Sequence, residues 1–149
     1  MTYPNGARSF TPDFAQLIVA MDQWSEPYWQ AVGEHRLQFP RCGKCGTFRW
    51  PAGPFCYKCR SQEVEWVTAG QARIYSYTVL PVMGPDKDAP PQWRVPVVVE
   101  FDGIPDVRLV SVLVGAPLDA LAIGDMLEPE WLAAENATVP GFRLAEEKA

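Results

Sequence analysis

Apolar and polar residues alternate along most of the second half of the chain, and this pattern predicts a domain built from β-strands. The expected strands cover residues 64–68, 71–80, 95–101, 107–114, 126–132 and 139–144. Asp102-Gly103 separates two of them as a hairpin turn signal. One helical turn is expected over residues 118–121. Five or so strands with a short helix between the third and the fourth are typical of an OB-fold barrel.

The N-terminal part follows a helical period instead. Thr11-Pro12-Asp13 has the residue types of a helix start, because Thr caps, Pro fits the first turn and Asp favours the positive end. The apolar residues of one helical stripe follow it: Phe14, Leu17, Ile18 and Met21. A second start at Ser25-Glu26-Pro27 is followed by Gly33 as a C-terminal stop. We therefore expect a helical arm over residues 1–34, with residues 1–10 as a loose tail.

Four cysteines lie between these two parts, and they form two pairs. Cys42-Gly-Lys-Cys45 and Cys56-Tyr-Lys-Cys59 are separated by ten residues. Short strands are expected before the first pair, around Leu37 and Phe39, and after it, over residues 47–50. Two such pairs on a hairpin are typical of a zinc ribbon, which we place at residues 35–62. The barrel then occupies residues 63–149.

The metal chemistry follows from the ligand set. Four thiolates surround one tetrahedral Zn²⁺ and leave no position for water, so the ion is expected to be structural. Iron is an alternative occupant of the same thiolates. A redox dithiol pair and unpaired core cysteines are the alternatives to a metal site. A metal site would use all four cysteines and leave none free as a nucleophile.

Composition narrows the class of protein. The chain has 149 residues, of which 48% are hydrophobic and 21% charged, and these values are typical of a globular domain. It contains 15 prolines, which favour turns and strands over long helices. No apolar run approaches the roughly 20 residues of a membrane span. The N-terminus lacks the pattern of a signal peptide, so we expect a cytoplasmic protein whose thiols stay reduced.

The chain resembles a known family over about residues 25–144. The matching pieces, in order, are Pro27-Tyr28-Trp29, Leu37, Cys42-Gly-Lys-Cys45-Gly46, Cys56-Tyr-Lys-Cys59, Trp66, Gly70, Tyr75-Ser76-Tyr77-Thr78 and Val139-Pro140-Gly141-Phe142-Arg143. They are similar to the zinc-ribbon and OB-fold proteins long called a domain of unknown function. In one place the chain departs from this pattern, because Arg60 rather than Gly follows Cys59. We therefore expect the second knuckle to be less regular.

The resemblance implies a mainly β protein with an N-terminal helical arm, a rubredoxin-like ribbon and an OB barrel. Several family members are accessory subunits of thiolase-like and acyl-CoA hydratase enzymes. The resemblance thus implies a thiolase, a thiolase-like aldolase or acyltransferase, or a related acyl-CoA enzyme as the partner. The partner would supply the catalytic residues, and this chain would help to hold the assembly and the CoA end of the substrate.

The charge distribution adds candidate contacts. Residues 35–62 contain none of the chain's 18 acidic residues and six of its 13 basic ones. These six are Arg36, Arg41, Lys44, Arg49, Lys58 and Arg60. All but Arg36 are candidates to contact a CoA phosphate or an acidic partner. A solvated surface that balances the thiolates is an equally good interpretation.

Aromatic residues supply the remaining candidates for contact with a partner or an acyl group. Tyr28 and Trp29 lie on the second helix, where aromatic side chains are favoured anchors. Trp93 and Arg94 lie at the end of a proline-rich loop over residues 81–94. In OB-folds, the loop between the first two strands often lines the ligand face.

No catalytic residue is predicted. His35 is the only histidine, and the chain has none of the nucleotide-binding or nucleophile-elbow motifs. Nucleic-acid binding is an alternative function for a ribbon and barrel, but the net charge of −5 and the pI of about 4.8 match a polyanion poorly. A stand-alone acyl-CoA-binding domain is the other alternative.

Overall fold

The computed structural model describes residues 2–146, so the outer ends of the predicted arm and barrel domains lie outside the described residues. The elements are, in chain order, α1 (Glu26–Gly33), β1 (Gln38–Cys42), β2 (Val64–Thr68), β3 (Ala72–Tyr77), β4 (Leu80–Val82), β5 (Gln92–Phe101), β6 (Ile104–Leu113), β7 (Met126–Ala133) and β8 (Thr138–Leu144). The fold is therefore mainly β, as predicted.

Five strands close into a barrel. The order around it is β3-β7-β8-β6-β5, and β5 returns to pair with β3. Counted along the chain, this order is 1-4-5-3-2, the Greek-key arrangement of an OB-fold. Neighbouring strands are antiparallel except for β6 and β8, which pair in parallel at Leu113 and Phe142. The predicted OB barrel is confirmed.

The ribbon has its own two-stranded sheet, formed by β1 and β2 in antiparallel register from Gln38 with Thr68 to Cys42 with Val64. We expected 64–68 to open the barrel, but this strand completes the ribbon instead. The strand expected over residues 47–50 is reduced to a single bridge between Arg41 and Phe48. The Pro40 carbonyl accepts a hydrogen bond from the Arg49 N–H, but Pro40 has no N–H to donate to Arg49. The pairing of residues 47–50 with β1 therefore cannot extend.

The predicted strand over 71–80 is divided into β3 and β4. Leu80 to Val82 of β4 pair with Arg94 to Gln92 of β5, so β4 and the start of β5 form a hairpin that extends beyond the barrel. The loop expected over 81–94 is therefore shortened to residues 83–91. The helical turn expected at 118–121 is wrong, because this stretch contains only a hydrogen-bonded turn and one bend.

The helix predicted from Thr11 is also wrong, and α1 is the only helix within residues 2–146. Three of the four residues in its predicted apolar stripe are exposed, and Ile18 is the most exposed of them at 65%. An isolated helix of this length is marginal in water unless it packs on another surface. The backbone of this stretch bonds elsewhere: Val19 exchanges two hydrogen bonds with the side chain of Asn136, at the turn between β7 and β8.

Asp22 organises the start of α1 from outside the helix. Its carboxylate accepts the N–H groups of Ser25, at 2.7 Å, and Trp24, at 3.0 Å. These bonds, chiefly that from Ser25, lower the pKa of Asp22. The helix ends at Gly33 as predicted, and His35 then turns the chain with φ of 61°.

The N-terminal residues are held rather than loose. Ser9 is 4% exposed, and its hydroxyl donates to the Leu113 carbonyl at 2.8 Å and accepts the Ala116 N–H at 2.9 Å. Its backbone also bonds that of Ala116 and Gly115. One small polar residue thereby satisfies barrel groups that would otherwise be buried without partners, and this contact fixes residues 7–10 on the barrel.

A single hydrophobic core runs through the helix, the ribbon and the barrel. Phe39 of β1 is fully buried at the junction, with its ring 5.0 Å from Phe101 of β5 and 4.9 Å from Trp50. The Tyr28 ring of α1 packs at a tilt against Phe39 and Trp50. The ribbon therefore derives much of its apolar contact from the barrel and α1. None of the helices among residues 2–146 is long and apolar enough to cross a membrane.

Candidate metal centre

The first cysteine knuckle is a tight turn stabilised by backbone hydrogen bonds. The Cys42 N–H donates to the Thr47 carbonyl at 2.8 Å, and the Gly46 N–H donates back to the Cys42 carbonyl at 3.0 Å. The Cys45 N–H points at Cys42 Sγ, 3.5 Å away. Gly46 has φ of 77°, the left-handed conformation that glycine adopts without strain.

The second knuckle repeats this geometry with a different residue. The Arg60 N–H donates to the Cys56 carbonyl at 2.9 Å, and the Cys56 N–H donates to the Ser61 carbonyl at 2.9 Å. Arg60 has φ of 62°, so it takes the left-handed position that Gly46 takes in the first knuckle. The expectation of a less regular second knuckle is wrong, because the hydrogen bonds hold Arg60 in a conformation that its side chain disfavours.

The two turns bring the four sulfur atoms into one cluster. All four lie within 4.8 Å of one another, and the pairs Cys42–Cys59 and Cys45–Cys56 are 3.5 Å apart. A tetrahedral zinc with Zn–S bonds of about 2.3 Å requires S–S separations of about 3.8 Å. The sulfurs thus fit a tetrahedral ion, and they are too far apart for disulfide bonds. Within residues 2–146, no other cluster of three or more Cys, His or carboxylate ligands is present.

The proton affinities of the thiols also favour a bound cation. The hydrogen bond of Cys45 with Thr47 lowers the pKa of the Cys45 thiol to about 6. The backbone N–H of Cys45 lowers the pKa of Cys42. The Ser61 N–H favours the Cys59 thiolate, but burial and the neighbouring thiols outweigh it and raise the pKa of Cys59 to about 11. Four thiolates at this distance repel one another, so a dication is needed to hold all of them deprotonated.

The chemistry open to such a centre is structural. A zinc ion held by Cys42, Cys45, Cys56 and Cys59 has no free coordination position, so it supplies neither a Lewis acid nor an activated water. What it supplies when bound is a crosslink between the two knuckles. The chain's own contribution is to orient the sulfurs through the two turns.

Two of the predicted contact residues are buried. Arg49 is 4% exposed, and its guanidinium donates to the carbonyls of Gly53 and Glu63, so that it links the turn before the second knuckle to the residue before β2. Tyr28 is 2% exposed, and its ring lies 4.7 Å from that of Trp50. Burial raises the pKa of the Tyr28 phenol. Both side chains therefore pack within the ribbon and its junction with α1, and their contact with a partner stays a prediction.

The other ribbon cations lie nearer the surface. Arg41 forms an ion pair with Glu65 at 2.8 Å, so its charge is already matched. Lys44, Lys58 and Arg60 form no ion pair with the described residues and lie on or beside the knuckles. The net positive charge of the ribbon is therefore concentrated near its metal-binding end.

The aromatic candidates occupy two positions. Trp29 is partly buried edge-on against Tyr28, with ring centroids 5.0 Å apart. Trp93 packs against Tyr3 at 5.3 Å, in the extension of β5 beyond the barrel. The Arg94 guanidinium lies 5.2 Å from the centre of the Phe10 ring. The contact roles of Trp29, Trp93 and Arg94 stay predictions.

One contact that fixes the site was not predicted. The ring of His35 stacks on Trp131 of β7, with centroids 5.1 Å apart and planes 6° from parallel. It therefore joins the α1–β1 connection to the barrel, a structural role that agrees with the lone His35 having no catalytic partner. Nothing in the sequence marks this pair, because the two residues lie nearly a hundred positions apart.

Comparisons with known proteins agree with this architecture. The ChsH2 rubredoxin-like zinc ribbon domain matches residues 29–65. A solved structure described as "Ltp2-ChsH2(DUF35) aldolase" contains a chain that is 33% identical, with a TM-score of 0.71; the match covers 87% of this chain and all of that one. A DUF35 protein of unknown function from Sulfolobus solfataricus has the same fold, with 17% identity, a TM-score of 0.60 and coverage of 82% and 85%.

A curated relative extends the comparison to a longer protein. A probable enoyl-CoA hydratase alpha subunit of Thermomonospora curvata is 35% identical over 121 residues, which make up 79% of this chain. The match covers 36% of that protein, so this chain spans about a third of the length of the relative. The ribbon, the barrel and the extent of the match to the ChsH2 structure together show that the chain belongs to the DUF35 family of zinc-ribbon proteins.

Proposed function

We propose that this chain is a non-catalytic accessory subunit of a thiolase or thiolase-like acyl-CoA enzyme complex, which it helps to assemble. The observation that carries the proposal is the match to the whole of a chain from the structure described as an Ltp2-ChsH2(DUF35) aldolase. The hydratase alpha subunit among the relatives supports an acyl-CoA substrate. The closed thiolate set agrees with this role, because it leaves the metal no catalytic position. A cytoplasmic location belongs to the proposal, since thiolate ligands need a reducing compartment.

A secondary part of the proposal is that the ribbon helps to hold CoA. The unpaired cations Lys44, Lys58 and Arg60 would meet its phosphate groups, which attract such side chains strongly. The same distribution disfavours nucleic-acid binding. Arg41 is neutralised by Glu65 and Arg49 is buried, so too few free cations remain for a basic groove.

The experiment is co-purification of the tagged chain from its native host, identification of the partner by mass, and assay of the recombinant pair. We expect an acyl-CoA enzyme subunit, turnover by the pair, and no turnover by this chain alone. Turnover of a CoA thioester by the isolated chain would contradict the proposal, as would a partner of unrelated chemistry.

The CoA contact has its own test in the same assay. Lys44→Glu combined with Lys58→Glu should raise KM for the acyl-CoA several-fold with little change in kcat, because only binding of the phosphate end is lost. Lys87→Glu, in the loop over 83–91, is the matched control and should leave KM unchanged. Equal KM values for all three proteins would remove CoA binding from the role of the ribbon.

A further inference from the structure

An apolar trough crosses the outside of the barrel between the N-terminal segment and the ribbon. Its floor consists of Val110 of β6 with Val139 and Pro140 of β8, which are shared by two adjoining cavities. The first, of about 250 Å³, is bounded by Phe14 and Arg94. The second, of about 340 Å³, is bounded by residues of α1 and the ribbon, among them Trp29 and Trp50.

Beneath the trough, the middle parts of β5 and β6 are apolar on both faces. Along β5, Val95, Val97 and Val99 are buried in the barrel, whereas Pro96 and Val98 point outward. Val98 pairs directly with Val110 of β6. The exposed face of an antiparallel sheet is normally polar, and strands that are apolar on both faces are normally covered on both. The composition of these strands therefore indicates that their outer face is covered.

The chain itself covers this face only in part. Pro12 is buried there, and Phe14 forms one wall of the first cavity. Val110, in the centre of the floor, remains 75% exposed and is the most exposed of the large apolar side chains among residues 2–146. An exposed apolar patch that neighbouring residues enclose only in part is typical of a protein interface.

The charges around the trough distinguish between possible occupants. At one end, the exposed Arg94 contacts the Phe10 ring and has no carboxylate partner among the described residues. At the other end, the Asp22 carboxylate is occupied by the two N–H groups that it accepts. Glu100 on the neighbouring face forms an ion pair with Arg108. Asp13, between the lining residues Pro12 and Phe14, likewise accepts the Ala15 N–H at 2.9 Å. A second copy of the chain would thus offer Arg94 only carboxylates that already bond their own backbone, so a different protein with a free acidic residue is the better complement.

We propose that the trough is the docking surface for the acyl-CoA enzyme subunit, which would place an apolar segment on Val110 and an acidic side chain against Arg94. This inference rests on the proposed function for the identity of the partner. It also brings together Trp29 and Arg94, two of the predicted contacts from distant parts of the sequence, on one surface.

The test measures the dissociation constant between the full metal-loaded chain and the recombinant partner identified by co-purification. Val110→Asp should weaken binding at least about tenfold, since it places a charge in an apolar interface. Ile123→Asp is the matched control, because Ile123 is 71% exposed and lies outside the trough. It should change binding less than about twofold. Arg94→Glu should weaken binding most at low salt. Metal content and melting temperature verify that each variant is folded.

The outcomes separate this inference from the proposed function. If the partner is an acyl-CoA enzyme subunit and Val110→Asp binds it as tightly as the wild type, the trough is not the interface although the function stands. If Val110→Asp abolishes binding to a partner of other chemistry, the proposed function fails and so does the identity given to the occupant. Self-association of the wild-type chain that Val110→Asp prevents would also overturn the inference, in favour of a second copy.

Discussion

Individual residues determine the shape of the metal site, and Gly46 and Arg60 show how. Both follow the second cysteine of a pair, and both adopt positive φ. The sequence predicted the ligands because the cysteine spacing is sufficient for that. It did not predict a regular second knuckle, because the conformation of Arg60 is imposed by hydrogen bonds to Cys56 and is not a preference of arginine itself.

Substitutions at Gly46 and Arg60 test whether both positions require the left-handed backbone conformation. Gly46→Ala should reduce the free energy of unfolding by about 1 kcal/mol, since a left-handed conformation costs an ordinary residue about 1–2 kcal/mol. Arg60→Gly should relieve such a cost and increase the free energy of unfolding by somewhat less, because glycine loses more backbone entropy on folding. Urea unfolding of the metal-loaded proteins measures both. A loss of stability in Arg60→Gly would show that its side chain matters more than its backbone.

Tyr28 gives a prediction for alkaline pH. Burial raises the pKa of its phenol above the value of about 10 that it has in the unfolded chain. The unfolded state therefore loses this proton first, so the stabilising contribution is complete below pH about 10 and is lost as the pH rises further. Tyr28→Phe should melt at a temperature that falls less between pH 9 and about 11 than the wild type does.

The control for this experiment is Tyr57→Phe, which removes a phenol that is 68% exposed. It should follow the wild type over the whole pH range. If the melting temperatures of Tyr28→Phe and the wild type fell equally with pH, the buried phenol would ionise as easily as an exposed one.

At the scale of elements, local pattern predicted the barrel strands and α1, but it also predicted a helix from Thr11 that does not form. The barrel strands were predicted because alternation reflects a buried and an exposed face. The helix from Thr11 failed because its apolar residues do not pack on one surface: Phe14 lies against the barrel, whereas Ile18 is exposed, and the backbone of Val19 bonds to Asn136. Ser9 was missed for a related reason: its partners, Leu113 and Ala116, are more than a hundred residues away. No local pattern contains such contacts.

The junction between ribbon and barrel depends on a close approach at Gly70. Its N–H donates to the Asp102 carbonyl at 3.0 Å, and a Cβ at this position would lie 2.5 Å from the same oxygen. Gly70→Ala must therefore separate β2 from the turn after β5 and should cost about 1–3 kcal/mol of stability. Gly84→Ala, where a Cβ meets nothing within 4 Å, is the control. Equal melting temperatures for the two variants would contradict this close contact.

At the scale of the whole molecule, the three predicted domains share one core. Phe39 of the ribbon packs against Phe101 of the barrel. The ring of His35, between α1 and β1, stacks on Trp131 of β7. The sequence separated these parts because their periodicities differ, but it contains no signal for how they pack. The same limit applies to the surface. The trough became visible only when Val110 and Pro140 were brought together by the fold.

We propose that the protein works with a structural metal ion bound and with an acyl-CoA enzyme subunit as its partner. Native mass spectrometry of the complex purified from its host tests both at once. We expect one zinc ion per chain and a complex with an acyl-CoA enzyme subunit. We also expect Cys56→Ser to lose the metal and to be absent from the complex. A metal-free chain recovered without any partner would contradict both expectations.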